Sequence, residues 1–140
     1  MARFISVVVP VYNSELILPA LIKRLAPALA ALCNQYEVVL VNDGSRDQSW
    51  KVIQELSRSF PWVRGINLMR NYGQHNALLC GIRAARFDTL VTMDDDLQHP
   101  PEEIHKLMAR LLRRRNLPFR KLVIRSVRPK GRHACQTTSP

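Results

Sequence analysis

Ile5-Ser6-Val7-Val8-Val9 is a nearly continuous β-branched run that stops at Pro10-Val11-Tyr12-Asn13. A strand buried on both faces reads this way, because neither face calls for polar alternation, and such strands belong to parallel sheets covered by helices. Moving outward, Ser14 is a candidate cap for a helix in which Leu16, Leu18, Leu21, Ile22, Leu25 and Leu29 fall mostly at helical spacing, and Pro27 is expected to kink or divide that helix. Glu37-Val38-Val39-Leu40-Val41 is the next strand, running into the turn-rich Asn42-Asp43-Gly44-Ser45-Arg46-Asp47 and a helix from about Gln48 to Ser59. Val63 to Leu68 reads as a third strand, Asn76 to Ala85 as a third helix and Thr89 to Met93 as a fourth strand, with Leu122-Val123-Ile124 a candidate fifth. Strands alternating with helices at this spacing predict right-handed βαβ units, and so an α/β fold with a mainly parallel sheet between two helical layers.

The chain of 140 residues is 46% hydrophobic, enough for one domain with a real core. Its formal charge of +10 looks like a nucleic-acid signal until it is divided along the chain. Residues 1–105 carry 10 Lys+Arg and 11 Asp+Glu, whereas residues 106–140 carry 11 Lys+Arg and no acid. The basicity therefore belongs to the tail. Phe119 is the only aromatic residue after position 105, which leaves no stacking platform for specific nucleic-acid recognition. Cys33, Cys80 and Cys135 show no CxxC spacing, so neither a zinc site nor a disulfide framework is indicated, and a reducing cytoplasmic setting is expected. Lys23 and Arg24 interrupt the best apolar run well short of the roughly 20 residues of a membrane span.

In an open parallel sheet the ligand crevice lies beyond the carboxyl ends of the strands. Each expected strand carries a polar cluster at that end: Tyr12 and Asn13, Asp43, Arg70 and Asn71, and Asp94-Asp95-Asp96. Random loop polarity would favour neither edge, so the four clusters point to one site. The three adjacent carboxylates repel one another, and a hard divalent cation, Mg²⁺ or Mn²⁺, is the usual remedy. The plainer reading of an isolated triplet is one helix-capping Asp with two solvated neighbours. GxGxxG is absent after the first strand and GxxxxGK[ST] is absent throughout, which argues against a dinucleotide fold and a P-loop. A nucleotide whose diphosphate is neutralised by a metal remains, with Asp43 able to accept from the imide N–H of a uracil.

Val9-Pro10-Val11-Tyr12-Asn13-Ser14-Glu15, Val41-Asn42-Asp43-Gly44-Ser45-Arg46-Asp47, Arg70-Asn71-Tyr72-Gly73-Gln74-His75 and Asp94-Asp95-Asp96-Leu97-Gln98 resemble, in order and spacing, the motifs of family 2 glycosyltransferases of the GT-A fold. The resemblance is closest to the polyprenyl-phosphate branch, which includes dolichol-phosphate mannose synthases and bacterial undecaprenyl-phosphate sugar transferases, and it covers about residues 4–108. It implies a uridine pocket shaped by Pro10, Tyr12 and Glu15, with Asp43 reading the base and Asp94 contacting ribose or nucleotide. Asp95 would occupy the variable centre of a DxD motif in the same nucleotide-sugar site. Asp96 and Gln98 would hold the metal, and Arg70 is a candidate phosphate ligand. The implied reaction is inverting transfer from a nucleotide-sugar donor to a lipid phosphate at the cytoplasmic membrane face.

The resemblance also implies a longer domain than residues 1–108 supply. Arg113-Arg114-Arg115, Arg120-Lys121 and Arg128-Pro129-Lys130-Gly131-Arg132 stand where further α/β pattern is expected, as a premature stop in an altered reading frame would leave them. Residues 109–140 are thus expected to be a basic tail, disordered or non-homologous. Two competing readings follow: a catalytically inactive fragment that keeps part of the donor site, and a basic module attracted to anionic membranes or nucleic acid. Attraction to an anionic leaflet is worth about 1 kcal/mol per basic residue near the surface. His75 and His99 lack metal spacing and are expected to be polar lining; Trp50 and Trp62 are expected as partial core or helix-packing residues, and Cys80, within the third helix, is expected to be buried and unreactive.

Overall fold

A computed structural model of the chain describes residues 4–97, 100–112 and 122–125. Gln98, His99, His133, Cys135 and most of the basic tail lie outside the described residues. The strands are β1 (Phe4–Val11), β2 (Gln35–Asn42), β3 (Val63–Asn67), β4 (Thr89–Thr92) and β5 (Leu122–Arg125). The helices are α1 (Leu18–Leu32), α2 (Ser49–Ser59), α3 (Gln74–Ala84) and α4 (Ile104–Leu112), the last entered through a 3-10 turn at Pro101–Glu103.

All five strands are parallel, in the order β3-β2-β1-β4-β5. The chain steps from β1 to β2 to β3 in one direction, with α1 and α2 sharing a face, then crosses back to β4 with α3 on the opposite face. Reversal of direction with reversal of face is what a uniform crossover hand requires. The order turns around between β1 and β4, and a parallel sheet of this kind opens its crevice at that point.

The β-branched runs do what their composition predicts. Val7, Val9 and Val11 of β1 pack with Leu18, Leu21, Ile22, Leu25 and Leu29 of α1, while Val8 joins Val39, Val41 and Ala77 beneath α3. α3 comes so close that a Cβ on Gly81 would collide with Val8. Ile104 and Met108 bring α4 to the α1 side, where Arg24 forks onto Glu102 with bonds of 2.9 and 2.8 Å. Trp50 and Trp62 lie at the core margin, as expected.

Two local expectations meet the structure differently. Pro27 lies inside α1 without dividing it. It is exposed, as is Lys23 one turn earlier, so the carbonyl that loses its amide partner faces water. Ser14 does not cap α1 with its side chain: the helix begins four residues later after Ile17, and the Ser14 hydroxyl is spent elsewhere.

Candidate functional site

The carboxyl ends of β1, β2 and β4 and the loop between β3 and α3 enclose a cleft of about 250 Å³, lined by Pro10, Val11, Tyr12, Asp43, Asn71, Gly73, Gln74, Asp94 and Asp95. Of the residues expected there, Pro10, Tyr12, Asn71, Asp43, Asp94 and Asp95 are brought together. Glu15, Arg70 and Asp96 are not among the lining residues, and Gln98 lies outside the described ones.

Asp43 is only 3% exposed, yet it reaches the cleft at the end of β2. Its Oδ1 accepts the Tyr72 amide at 2.8 Å, which ties the β3–α3 loop to the floor of the site. The next residue, Gly44, makes the approach possible. Its φ is +67°, and a Cβ there would fall on the backbone of Arg70 and Asn71. Gly73, at φ +94°, turns the same loop into α3.

The loop after β1 is held on two sides. Toward β2, the Asn13 amide donates to Ser45 Oγ at 3.0 Å and Asn13 Oδ1 accepts the Arg46 amide at 2.8 Å. In the same direction the Ser14 amide donates to Ser49 Oγ at 2.8 Å, and the Glu15 amide to Asp47 Oδ2 at 3.2 Å. Burial works against the Asp47 charge, but Ser49 and the Glu15 amide outweigh it and hold its carboxyl below the usual range. Toward β4, Asp95 Oδ2 accepts both the Tyr12 amide, at 3.3 Å, and the Ser14 hydroxyl.

The three carboxylates are therefore used differently. Asp94 Oδ1 accepts from Gln74 Nε2 at 2.6 Å, so it is tied to the start of α3. Asp95 turns toward the first loop, and its pKa is raised: burial is the main cause, the Asp96 charge adds to it, and the Ser14 and Tyr12 donors only partly offset the two. Asp96 is half-buried. Among the described residues no group of three or more His, Cys, Asp or Glu side chains is placed to hold an ion. Arg70 is exposed and lays its guanidinium 4.9 Å from the Tyr72 ring centroid, a cation–π contact beside the cleft. His75, expected as polar lining, is exposed outside the cleft, and His105 Nδ1 donates to the Glu102 carbonyl at 2.6 Å, so neither histidine lines the cleft.

Val11, Gly73 and Gln74 were not assigned a place by sequence reasoning. Gln74 was legible only as part of Arg70-Asn71-Tyr72-Gly73-Gln74-His75, since nothing in its spacing shows that it reaches a carboxylate 20 residues ahead.

The family model described as Glycosyl transferase family 2 matches residues 6–135. The chain belongs to glycosyl transferase family 2. Curated relatives include the undecaprenyl-phosphate 4-deoxy-4-formamido-L-arabinose transferase of Shewanella sediminis, 49% identical over 109 residues, covering 76% of this chain and 33% of that protein. The protein of the same name from Pseudomonas aeruginosa is 48% identical over 107 residues, covering 76% of this chain and 32% of its own length. The chain thus spans about a third of the length of these family members. Among solved structures, residues 1–349 of S. aureus TarS in complex with UDP-GlcNAc match with a TM-score of 0.62 and 25% identity, over 79% of this chain and 31% of that 1–349 segment. The glucosyl-3-phosphoglycerate synthase of Mycobacterium tuberculosis, solved with Mn²⁺, UDP and glucosyl-3-phosphoglycerate, shares the fold with a TM-score of 0.62 at 24% identity, over 79% of this chain and 40% of the synthase. The GT-A architecture expected from the strand and motif order is the one observed.

Proposed function

We propose that this family 2 chain forms the donor side of an inverting, metal-dependent glycosyltransferase that takes a UDP-sugar and serves a polyprenyl-phosphate acceptor. The observation that carries this reading is the cleft itself. A buried acceptor, Asp43, faces one end, and Asp94 and Asp95 form the other, at the turning point of a parallel sheet. The TarS complex with UDP-GlcNAc and the undecaprenyl-phosphate relatives support the donor and acceptor classes.

In this reading Pro10 and Tyr12 flank the nucleoside with Glu15 behind them, Asp43 Oδ2 accepts the uracil imide N–H, and Asp94 meets the ribose. Asp95 closes the wall, and Arg70 is within its loop's reach of the phosphates. Asp96 and Gln98 offer hard oxygen donors of the kind that suits Mg²⁺ or Mn²⁺; such ions commonly take one or two protein ligands and complete their shells with phosphate and water. When bound, the ion would neutralise the diphosphate leaving group. The acceptor phosphate, with a second pKa of about 6 if it is a monoester, is already largely ionised near neutrality and needs little help from a protein base. Its oxygen bonds to the anomeric carbon from the face opposite the diphosphate, and the bond to the diphosphate breaks with its electron pair. The residues of this chain contribute by holding the donor in line for that attack.

The test is calorimetric titration of the chain with UDP and GDP, each with Mn²⁺ and with EDTA, in wild type and Asp96→Ala. UDP binding that is strengthened by metal and loses that increment in the variant is expected. A folded chain that binds neither nucleotide would sink the proposal.

A further inference from the structure

The β1–β4 ladder ends early. Its register runs only from Ile5–Thr89 to Val8–Thr92, followed by the Met93 amide donating to the Val8 carbonyl at 3.2 Å. β1 continues to Val11, paired on its other side with β2, and the loop beyond it is fastened to the 45–49 segment by four hydrogen bonds. On the β4 side, where the strands have parted to open the cleft, the Asp95 side chain reaches this loop through the Tyr12 amide and the Ser14 hydroxyl.

We propose that Asp95 is a positioning residue: it acts through Tyr12 and Ser14 to fix the first crevice loop across the gap between β1 and β4, and it is not itself a ligand of the ion or diphosphate. The inference rests on the donor-site reading above and assigns the middle carboxylate a task distinct from those of its neighbours. Both bonds converge on one oxygen, Oδ2. A single carbonyl-type oxygen has two lone pairs and can accept both, so the tie requires the oxygen and not the negative charge. An amide at this position preserves it. A metal or diphosphate contact by the same residue would depend on charge. Tyr12 is 46% exposed and contributes a wall of the cleft, so the placement of its backbone sets the width available to a nucleoside.

The experiment combines UDP titration, with Mn²⁺ and with EDTA, and hydrogen–deuterium exchange of peptides spanning residues 10–17. It is run on wild type, Asp95→Asn, Asp95→Ala, Ser14→Ala and the Ser14→Ala/Asp95→Ala pair. Loss of the tie in Asp95→Ala is expected to weaken UDP about tenfold in both metal conditions, whereas Asp95→Asn stays within roughly threefold of wild type. The double variant is expected to be no weaker than Asp95→Ala, because the two residues share one interaction. Exchange in residues 10–17 is expected to quicken in Asp95→Ala and to stay near wild type in Asp95→Asn. Unchanged exchange in Asp95→Ala would overturn the proposal, as would an Asp95→Asn chain that loses only the metal-dependent part of its affinity. A wild type that binds no UDP would instead overturn the donor-site reading, and the exchange comparison would still decide whether Asp95 holds the loop.

Discussion

Asp43 Oδ1 is committed to the Tyr72 amide, so in the proposed donor site it is Oδ2 that would meet the base. This fixes the outcome of a single-atom change. In Asp43→Asn the amide oxygen is expected to stay on the Tyr72 N–H, since turning the NH₂ group there would set donor against donor and forfeit that bond, and in the proposed site the NH₂ group then turns toward the base. A donor there opposes the N3–H of uracil and suits the N3 acceptor of cytosine. Competition titrations of UDP against CDP are expected to show the wild-type preference for UDP falling by about 10- to 100-fold in Asp43→Asn, the scale of one mispaired polar contact. An unchanged preference would remove Asp43 from the base subsite. At the adjacent Gly44 both the positive φ and the contact with the Arg70–Asn71 backbone forbid a side chain. Gly44→Ala is therefore expected to lower stability by more than the ~1 kcal/mol of a strained left-handed residue alone, read as a reduced urea midpoint at unchanged slope.

Between the elements, the tie least visible in the sequence lies near the amino-terminal edge of the sheet, away from the cleft. Glu37 of β2 is buried and accepts from Ser6 Oγ of β1 at 2.8 Å, from the Arg86 amide at 2.6 Å and from Arg64 of β3 at 2.8 Å. Burial opposes its charge, but the Arg86 amide, the Arg64 guanidinium and the Ser6 hydroxyl together outweigh it, so its carboxyl titrates below the usual range. A depressed folded pKa means that the unfolded chain binds the proton more readily. The stabilisation from Glu37 is then full above about pH 4.5 and is lost as pH falls through the lower folded value. Denaturant unfolding at pH 7 and across pH 5 to 3 is expected to show Glu37→Gln less stable by about 1.5–3 kcal/mol at pH 7, with the gap to wild type closing in acid. A gap that is constant with pH would mean that the charge contributes nothing. The sequence could not reveal this network, because a strand buried on both faces has no alternation to mark Glu37 as inward, and its partners lie 27 to 49 residues away. The strands themselves were legible for the converse reason: β-branched runs stopping at Asn, Asp and Gly carry their own boundaries. Ser14 was misread as a helix cap because capping is a local rule, whereas its hydroxyl answers to Asp95, 81 residues away. The polar cluster at each strand end was readable; which of its side chains faces the cleft, as between Asn71 and Arg70, was not, since that depends on how the loops are tied.

For the molecule as a whole, the cleft is assembled from loops that follow four strands, and a nucleotide in it would touch the products of every βα unit from β1 to β4. Binding of that kind cannot be local. The ligand is lost only when the sheet comes apart, so its affinity should appear in global stability. At a hundred times its Kd, a ligand specific for the folded state adds about 2.7 kcal/mol. The expectation is that UDP with Mn²⁺ raises the denaturation midpoint of wild type by this linkage without changing the denaturant slope, since the same surface is exposed on unfolding. EDTA or Asp96→Ala should remove the metal-dependent share of that gain, while Asp43→Asn should shift the stabilising nucleotide from UDP toward CDP. If UDP protects only the peptides around residues 10–17 from exchange and leaves the midpoint unmoved, the ligand is resting on one loop, and the four-loop donor cleft is not its site.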